Sequence, residues 1–122
     1  MNYTYTFEKL EVWQLSRSFV KELYEITKSF PKDEQYGLTS QIRRAAVSIS
    51  SNIAEGSSRL TTKDKAHFTM IAFSSTMEVI NQLIIACDLG YISSETLMAL
   101  KEKLSKLTNK LNAYHKAQLA QK

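Results

Sequence analysis

Apolar residues recur every three or four positions through four stretches of the chain, with polar residues between them, which is the spacing that lines one face of an α-helix. The first stretch runs from about Phe7 to Lys28. Its apolar positions are Leu10, Val12, Trp13, Leu15, Phe19, Val20, Leu23, Tyr24 and Ile26. That band is wider than one stripe and predicts a helix touching more than one neighbour. Phe30-Pro31 closes it, because the residue before a proline is pushed out of the helical region. The second helix is predicted from about Leu38 to Glu55, with Leu38, Ile42, Ala45, Ala46, Ile49 and Ile53 on one face. Those side chains are mostly small or β-branched, so a neighbouring helix can approach closely. Gly56 is expected to end this helix by turning through the left-handed region.

The third helix is predicted from about Thr62 to Leu89. Phe68, Met70, Ile71, Ala72, Phe73, Met77, Val79, Ile80, Leu83, Ile84, Ala86 and Cys87 cover most of its circumference, a pattern that implies burial on more than one side. Thr61 is the expected N-cap, with Asp64 in the reciprocal position three residues on. Gly90 ends the helix. The fourth, from about Ser94 to Gln118, is capped by Ser93 or Ser94. It carries a heptad seam of Leu97, Leu100, Leu104, Leu107, Leu111 and Tyr114. Leu119 to Lys122 are expected to fray. Links at 31–37, 56–61 and 90–93 are short, and short links make sequence neighbours antiparallel. The pattern therefore predicts an all-α fold: one domain over 1–122, an antiparallel up-down-up-down four-helix bundle with helix three the most buried.

Composition narrows this picture only slightly. Three glycines and one proline among 122 residues are too few for an all-β fold with many tight turns. No fully apolar stretch approaches the roughly 20 residues of a membrane helix, so no membrane association is expected. The N-terminus lacks a basic start followed by an apolar block, and the single cysteine, Cys87, has no internal partner. These features point to the cytoplasm. The net charge of +4 and pI of about 9.2 are compatible with an acidic partner. The distribution is more telling: Lys101 to Lys122 holds six lysines against Glu102 alone, and Arg59, Lys63 and Lys65 face only Asp64.

Three segments, FEKLEVWQLSRSF (Phe7–Phe19), FPKDEQYGL (Phe30–Leu38) and YGLTSQIRRAAVSISSNIAEGSSR (Tyr36–Arg59), agree in order and spacing with a known family. Together they resemble the bacterial 23S rRNA intervening-sequence proteins, also called the four-helix bundle protein family, from Phe7 to near Tyr114. The resemblance implies a homopentameric antiparallel helical bundle, often encoded within an insertion in the large ribosomal RNA gene. A related group serves as accessory protein to the reverse transcriptases of diversity-generating retroelements and binds nucleic acid.

Residues capable of chemistry have simpler roles. Asp64 and His67 share a helix face, but a di-iron bundle needs two such acid–histidine pairs and two further carboxylates, so no metal site is expected. Cys87, in IIACDLG, reads as a small apolar residue, and His115 as solvated near a chain end. Gly37, Gly56 and Gly90 sit at helix ends rather than in a phosphate loop. No catalytic residue and no cofactor are expected, and the chain does not read as an enzyme. Arg44, beside the core stripe, is expected to pair with a carboxylate such as Glu55 or one on helix one; with Asn52 and Glu55 it would form a structural polar network. Arg43, pointing further outward, is a candidate phosphate contact. The nucleic-acid candidates are thus Arg43, Arg59, Lys63, Lys65, Lys103, Lys106 and Lys110. Tyr3, Tyr5, Phe7 and Trp13 could stack on bases but are expected to pack the N-terminal arm onto the bundle or a neighbouring subunit. Two non-enzymatic classes remain: an oligomer binding RNA through basic surfaces, and a scaffold for another protein such as a reverse transcriptase.

Overall fold

The computed structural model describes residues 3–121. A short 3-10 turn, Thr6–Lys9, precedes four helices: α1 (Glu11–Thr27), α2 (Leu38–Ser57), α3 (Thr62–Asp88) and α4 (Ser94–Ala120). A second 3-10 turn, Lys32–Glu34, lies between α1 and α2. Each helix packs against two others, in the cyclic order α1–α2–α3–α4–α1. Lys110 of α4 meets Glu11 of α1, and Lys103 meets Glu22, so numbering falls along α4 as it climbs along α1. Between α2 and α3, Gly56 faces Phe68 while Ser48 faces Ser75. Those pairs run antiparallel, and the short links reverse the chain at each remaining corner.

The core is built largely from the positions the periodicity selects. Ile42, Ala45, Ala46, Ile49 and Ile53 of α2 are buried, as are Leu100, Leu104, Leu107 and Leu111 of α4. Val12, Phe19 and Leu23 of α1 close one side. At roughly 1.5–3 kcal/mol for each large aliphatic side chain removed from water, this set is the main source of stability. α3 contributes differently from the expectation. Its buried positions are mostly small or polar: Ala66, Thr69, Ala72, Ser75, Thr76, Val79, Gln82, Leu83 and Ala86. Nine of its 27 residues are buried, against seven of 20 in α2, so α3 is no more enclosed than α2. Small side chains on α3 let α2 come close, and the bulky Met70, Met77 and Ile85 remain exposed. Among the described residues α3 is the one helix long and apolar enough to cross a membrane, with 39% of its most apolar window buried. Its polar Ser75, Thr76 and Gln82 lie within the bundle.

Three boundaries depart from the sequence expectation. α1 begins at Glu11, not Phe7, because Leu10 is extended (φ −74°, ψ 128°) and serves as N-cap. The preceding turn is held instead by the Tyr5 N–H donating to Glu8 Oε2 at 2.7 Å and by Gln14 Nε2 donating to the Glu8 carbonyl. α2 runs through Gly56 to Ser57 without a left-handed residue, since Gly90 (φ 81°) is the one position with positive φ among the described residues. Gly56 is instead a close-approach glycine: a Cβ there would lie 2.7 Å from Phe68 Cβ. The expected fraying end is helical through Ala120; Lys122 lies outside the described residues.

The caps of α3 and α4 form as read. Thr61 Oγ1 accepts the Asp64 N–H at 3.1 Å, and Ser93 Oγ accepts the Thr96 N–H at 3.1 Å. Asp64 thus contributes its backbone donor and its place at the positive helix end. At the opposite end of the bundle, Glu34 closes two loops onto each other. Its Oε1 accepts the Leu38 N–H at 3.0 Å, satisfying a free donor of the first turn of α2, and its Oε2 accepts the Tyr91 hydroxyl at 2.8 Å. The Leu38 N–H, then the Tyr91 hydroxyl, hold the Glu34 carboxyl below its ordinary value, while the same hydrogen bond raises Tyr91. A carboxylate with a depressed folded pKa stabilises above its unfolded pKa, and that stability is lost as pH falls through the folded value. Glu34→Gln should therefore unfold at lower denaturant than the parent at neutral pH. The gap should close as pH falls below the usual carboxylate range. Parallel urea titrations at the two pH values test this, and a gap that is constant with pH would contradict it.

Candidate nucleic-acid interface

The seven basic candidates fall in three places. Arg59, Lys63 and Lys65 gather where α2 turns into α3, because the turn is short and Lys63 and Lys65 lie in the first turn of α3. The Arg59 guanidinium sits over the Phe68 ring, 4.5 Å from its centroid, so the cation is held by an aromatic face rather than by a carboxylate. Among the described residues none of these three has an ion pair within 4.0 Å. The second group, Lys103, Lys106 and Lys110, lies on one side of α4 toward α1. Two members are already matched: Lys103 Nζ is 2.8 Å from Glu22 Oε2, and Lys110 Nζ is 2.9 Å from Glu11 Oε1. These are exposed pairs of small energetic weight, yet they lower the local positive field. Lys106 is exposed and, among the described residues, without an ion pair.

Arg43 stands apart, and its place exchanges the expected roles of the two adjacent arginines. Its Nε donates to Thr27 Oγ1 at 2.9 Å and a terminal nitrogen donates to the Tyr24 carbonyl at 3.3 Å. Its guanidinium lies 4.6 Å from the Tyr24 ring centroid. Arg43 therefore ties α2 to the last turn of α1, donating to one carbonyl, that of Tyr24, which the helix end leaves without a backbone partner. Arg44 makes no ion pair among the described residues. Glu55 lies three turns along the same helix, roughly 16 Å away at 1.5 Å per residue, and Arg44 faces α3 rather than α1. With Gln41, Ala45, Ser48 and Glu78 it lines an open groove of about 300 Å³ between α2 and α3.

Of Arg44, Asn52 and Glu55, Asn52 alone joins a polar cluster between α2 and α3. Ser48 Oγ and Ser75 Oγ are 2.9 Å apart across the helix pair, and Asn52 Nδ2 donates to both the Ser48 carbonyl and Ser48 Oγ. On α3, Gln82 Nε2 donates to Glu78 Oε2 at 3.1 Å. Glu55 is exposed and outside this network. Ser75 joins the cluster with α2 and Gln82 forms a separate pair with Glu78, although α3 reads as an apolar helix. Their signal in the sequence was a polar residue recurring every three or four positions, Ser75, Glu78 and Gln82, on the side that meets α2.

Residues considered for chemistry stay dispersed. His67 packs edge-on against Phe68, His115 is half-buried within α4 rather than solvated at a loose end, and Cys87 is half-buried near the end of α3. Among the described residues no group of three or more His, Cys, Asp and Glu is placed to hold a metal.

The N-terminal arm forms a chain of rings. Tyr3 meets Tyr5 edge-on at 4.9 Å, Tyr5 stacks on Phe7 at 6.1 Å, and Phe7 meets Trp13 edge-on at 5.1 Å. The arm is thus packed onto α1 through Phe7 and Trp13 as expected. Tyr3 and Tyr5, however, are 79% and 60% exposed.

Comparison with known proteins agrees with this architecture. A solved structure from Bacteroides thetaiotaomicron, a protein with unknown function from the S23 ribosomal protein family, superposes with a TM-score of 0.76 at 20% identity. The match covers 86% of this chain and 98% of that one, and at such identity it speaks for the fold alone. No curated protein matches the chain. The sequence matches the 23S rRNA-intervening sequence protein family over residues 8–113, which takes in α1, α2, α3 and most of α4. The chain belongs to the 23S rRNA-intervening sequence protein family.

Proposed function

We propose that this protein is a non-enzymatic, self-associating helical bundle that binds RNA by its phosphate backbone. The observation carrying the RNA reading is the cluster of Arg59, Lys63 and Lys65 within one turn at one end of the bundle, opposed by Asp64 alone. Cations without carboxylate partners bind phosphate without first breaking an ion pair. Nothing in this cluster has the fixed, paired donors that read a base edge, so binding is phosphate-directed and weakly sequence-specific. Self-association rests on the exposed apolar residues of α3, beside the unpaired polar groove formed with α2; exposed apolar surface of this kind marks contact sites. The assembly the family resemblance implies is a closed ring of five, in which modest patches on each chain add through multivalency.

Fluorescence anisotropy with a labelled RNA at two salt concentrations tests the reading. Three phosphate contacts predict a roughly 20- to 40-fold loss of affinity per engaged chain between about 50 and 200 mM salt. Charge reversal at Arg59, Lys63 and Lys65 should weaken binding more than reversal at Lys103, Lys106 and Lys110, because two of the latter are already matched by Glu22 and Glu11. Binding independent of salt, or no binding, would overturn the RNA reading and leave a scaffold for another protein, of which a reverse transcriptase is the example the resemblance supplies.

A further inference from the structure

We infer that the outer groove between α1 and α2 is a track for single-stranded nucleic acid, with Trp13 as a base-stacking platform. The inference rests on the RNA-binding reading and adds to it a surface and a ligand form.

The shallow, open groove is lined by Trp13, Arg17, Val20, Lys21 and Tyr24 of α1 and by Val47 and Ser50 of α2, and has a volume of about 380 Å³. Spacings of three and four residues put the α1 members in one row, about 16 Å from Trp13 to Tyr24 at 1.5 Å per residue. The lining is apolar apart from two cations, the hydroxyls of Tyr24 and Ser50 and the indole N–H, and contains no acid. Among the described residues neither Arg17 nor Lys21 has an ion pair within 4.0 Å. Arg17 holds its guanidinium 5.3 Å from the Trp13 ring centroid, and at the far end Arg43 covers one face of Tyr24.

Two cations therefore stand between two rings along the row. At its Trp13 end, Phe7 hands the row on to the exposed rings of Tyr5 and Tyr3. The arm packs beside α2. Because α1 and α2 run in opposite directions, that is the end of the bundle where Arg59, Lys63 and Lys65 stand.

The chemistry favours one class of occupant. A helical protein partner would bring apolar side chains to the groove and leave Arg17 and Lys21 facing apolar surface. A duplex hides its base faces and offers nothing to Trp13 or Tyr5. A single strand supplies what both halves of the row accept: flat rings for aromatic side chains and guanidinium planes, and phosphates for Arg17 and Lys21.

Trp13 is the sole tryptophan of the chain, so it reports on its own site. Titration of the intact protein with a 12-nucleotide single-stranded RNA should quench tryptophan emission along the same isotherm as the anisotropy rise; the same RNA annealed to its complement should not. Trp13→Leu should lower single-strand affinity about tenfold and Trp13→Phe much less, since a stacked base is worth about 1–3 kcal/mol. Arg17→Glu with Lys21→Glu, both on exposed side chains, should weaken binding and flatten the log–log salt slope by about 1.4. Circular dichroism and light scattering on each variant check fold and assembly.

If RNA binds but leaves Trp13 emission and the Trp13→Leu affinity unchanged, the track is wrong while the cationic turn of α2 and α3 stands. Equal quenching by duplex overturns the single-strand assignment. If the Arg17 and Lys21 variants change particle mass instead of affinity, the groove is a contact between copies and the inference fails. RNA binding absent altogether removes both readings together.

Discussion

Gly56→Leu should unfold the bundle at much lower denaturant than the parent, with Gly56→Ala intermediate and Gly56→Asn worse than alanine. A Cβ at this position would meet Phe68 Cβ at 2.7 Å and the Lys65 carbonyl at 3.4 Å. Both are fixed to the backbone of α3 and neither can swing away, so the two helices must separate. Overpacking of this kind costs about 1–3 kcal/mol. Alanine recovers roughly 1 kcal/mol of that through its better helix propensity, leaving a net loss of about 1 kcal/mol. Leucine brings three further carbons to the same contact and should lose about 3 kcal/mol or more, a large part of a total that is about 5–15 kcal/mol for a small domain. The series also separates two explanations of the glycine. A left-handed helix end tolerates asparagine better than alanine. A close helix crossing penalises each added atom. Urea midpoints ranking asparagine above alanine would restore the helix-end explanation.

Gly56 shows why part of this fold was legible in the sequence and part was not. A glycine after an apolar stripe reads as a terminator because the commonest reason for such a residue is backbone freedom. The actual reason is a neighbour 12 residues on, and sequence spacing does not reveal what crosses a helix from outside. The leucine seam of α4 and the Ile42–Ile53 face of α2 were legible because one periodic face meets one core. α3 was harder. Apolar residues all round it suggested deep burial, yet beside Val79 and Leu83 its enclosed side is small or polar, Ala72, Ser75, Thr76 and Ala86 among them, and Met70, Met77 and Ile85 face outward. Bulk was mistaken for burial, whereas close packing selects small residues.

The same limit governed the arginines. Arg43 and Arg44 differ by about 100° around the helix, and which of them faces α1 depends on how α2 is rotated against its neighbours. The structure turns Arg43 onto Thr27 and Tyr24 and leaves Arg44 in the α2–α3 groove. Charge runs, by contrast, were visible at once. The sequence did not show that Glu11 and Glu22, far away along the chain, would stand opposite Lys110 and Lys103. Contacts at that separation are set by bundle order alone.

Under the self-association proposed above, Met70→Glu combined with Met77→Glu should leave the protein monomeric while its helical content and urea midpoint stay close to the parent's. In a single chain Met70 and Met77 are 39% and 44% exposed, one heptad apart on the outer side of α3. Glutamate has nearly the same helix propensity as methionine, and exposed substitutions of this sort usually change stability by less than about 0.5 kcal/mol. Between two subunits the same carboxylates would lose their water without gaining a cation. A buried, unmatched charge costs several kcal/mol, enough to dissolve a contact made of modest apolar surface. Light scattering at micromolar concentration reads the mass, and circular dichroism checks the fold. RNA affinity should fall with the mass even though no cation has been touched, because linked patches exceed a single patch by about 10²–10⁴. A parent that is already monomeric would remove the assembly from this account. A variant that keeps its mass would move the contact away from α3. A monomer that binds RNA as tightly as the assembly would show that one chain's cations suffice, and that the ring contributes nothing to recognition.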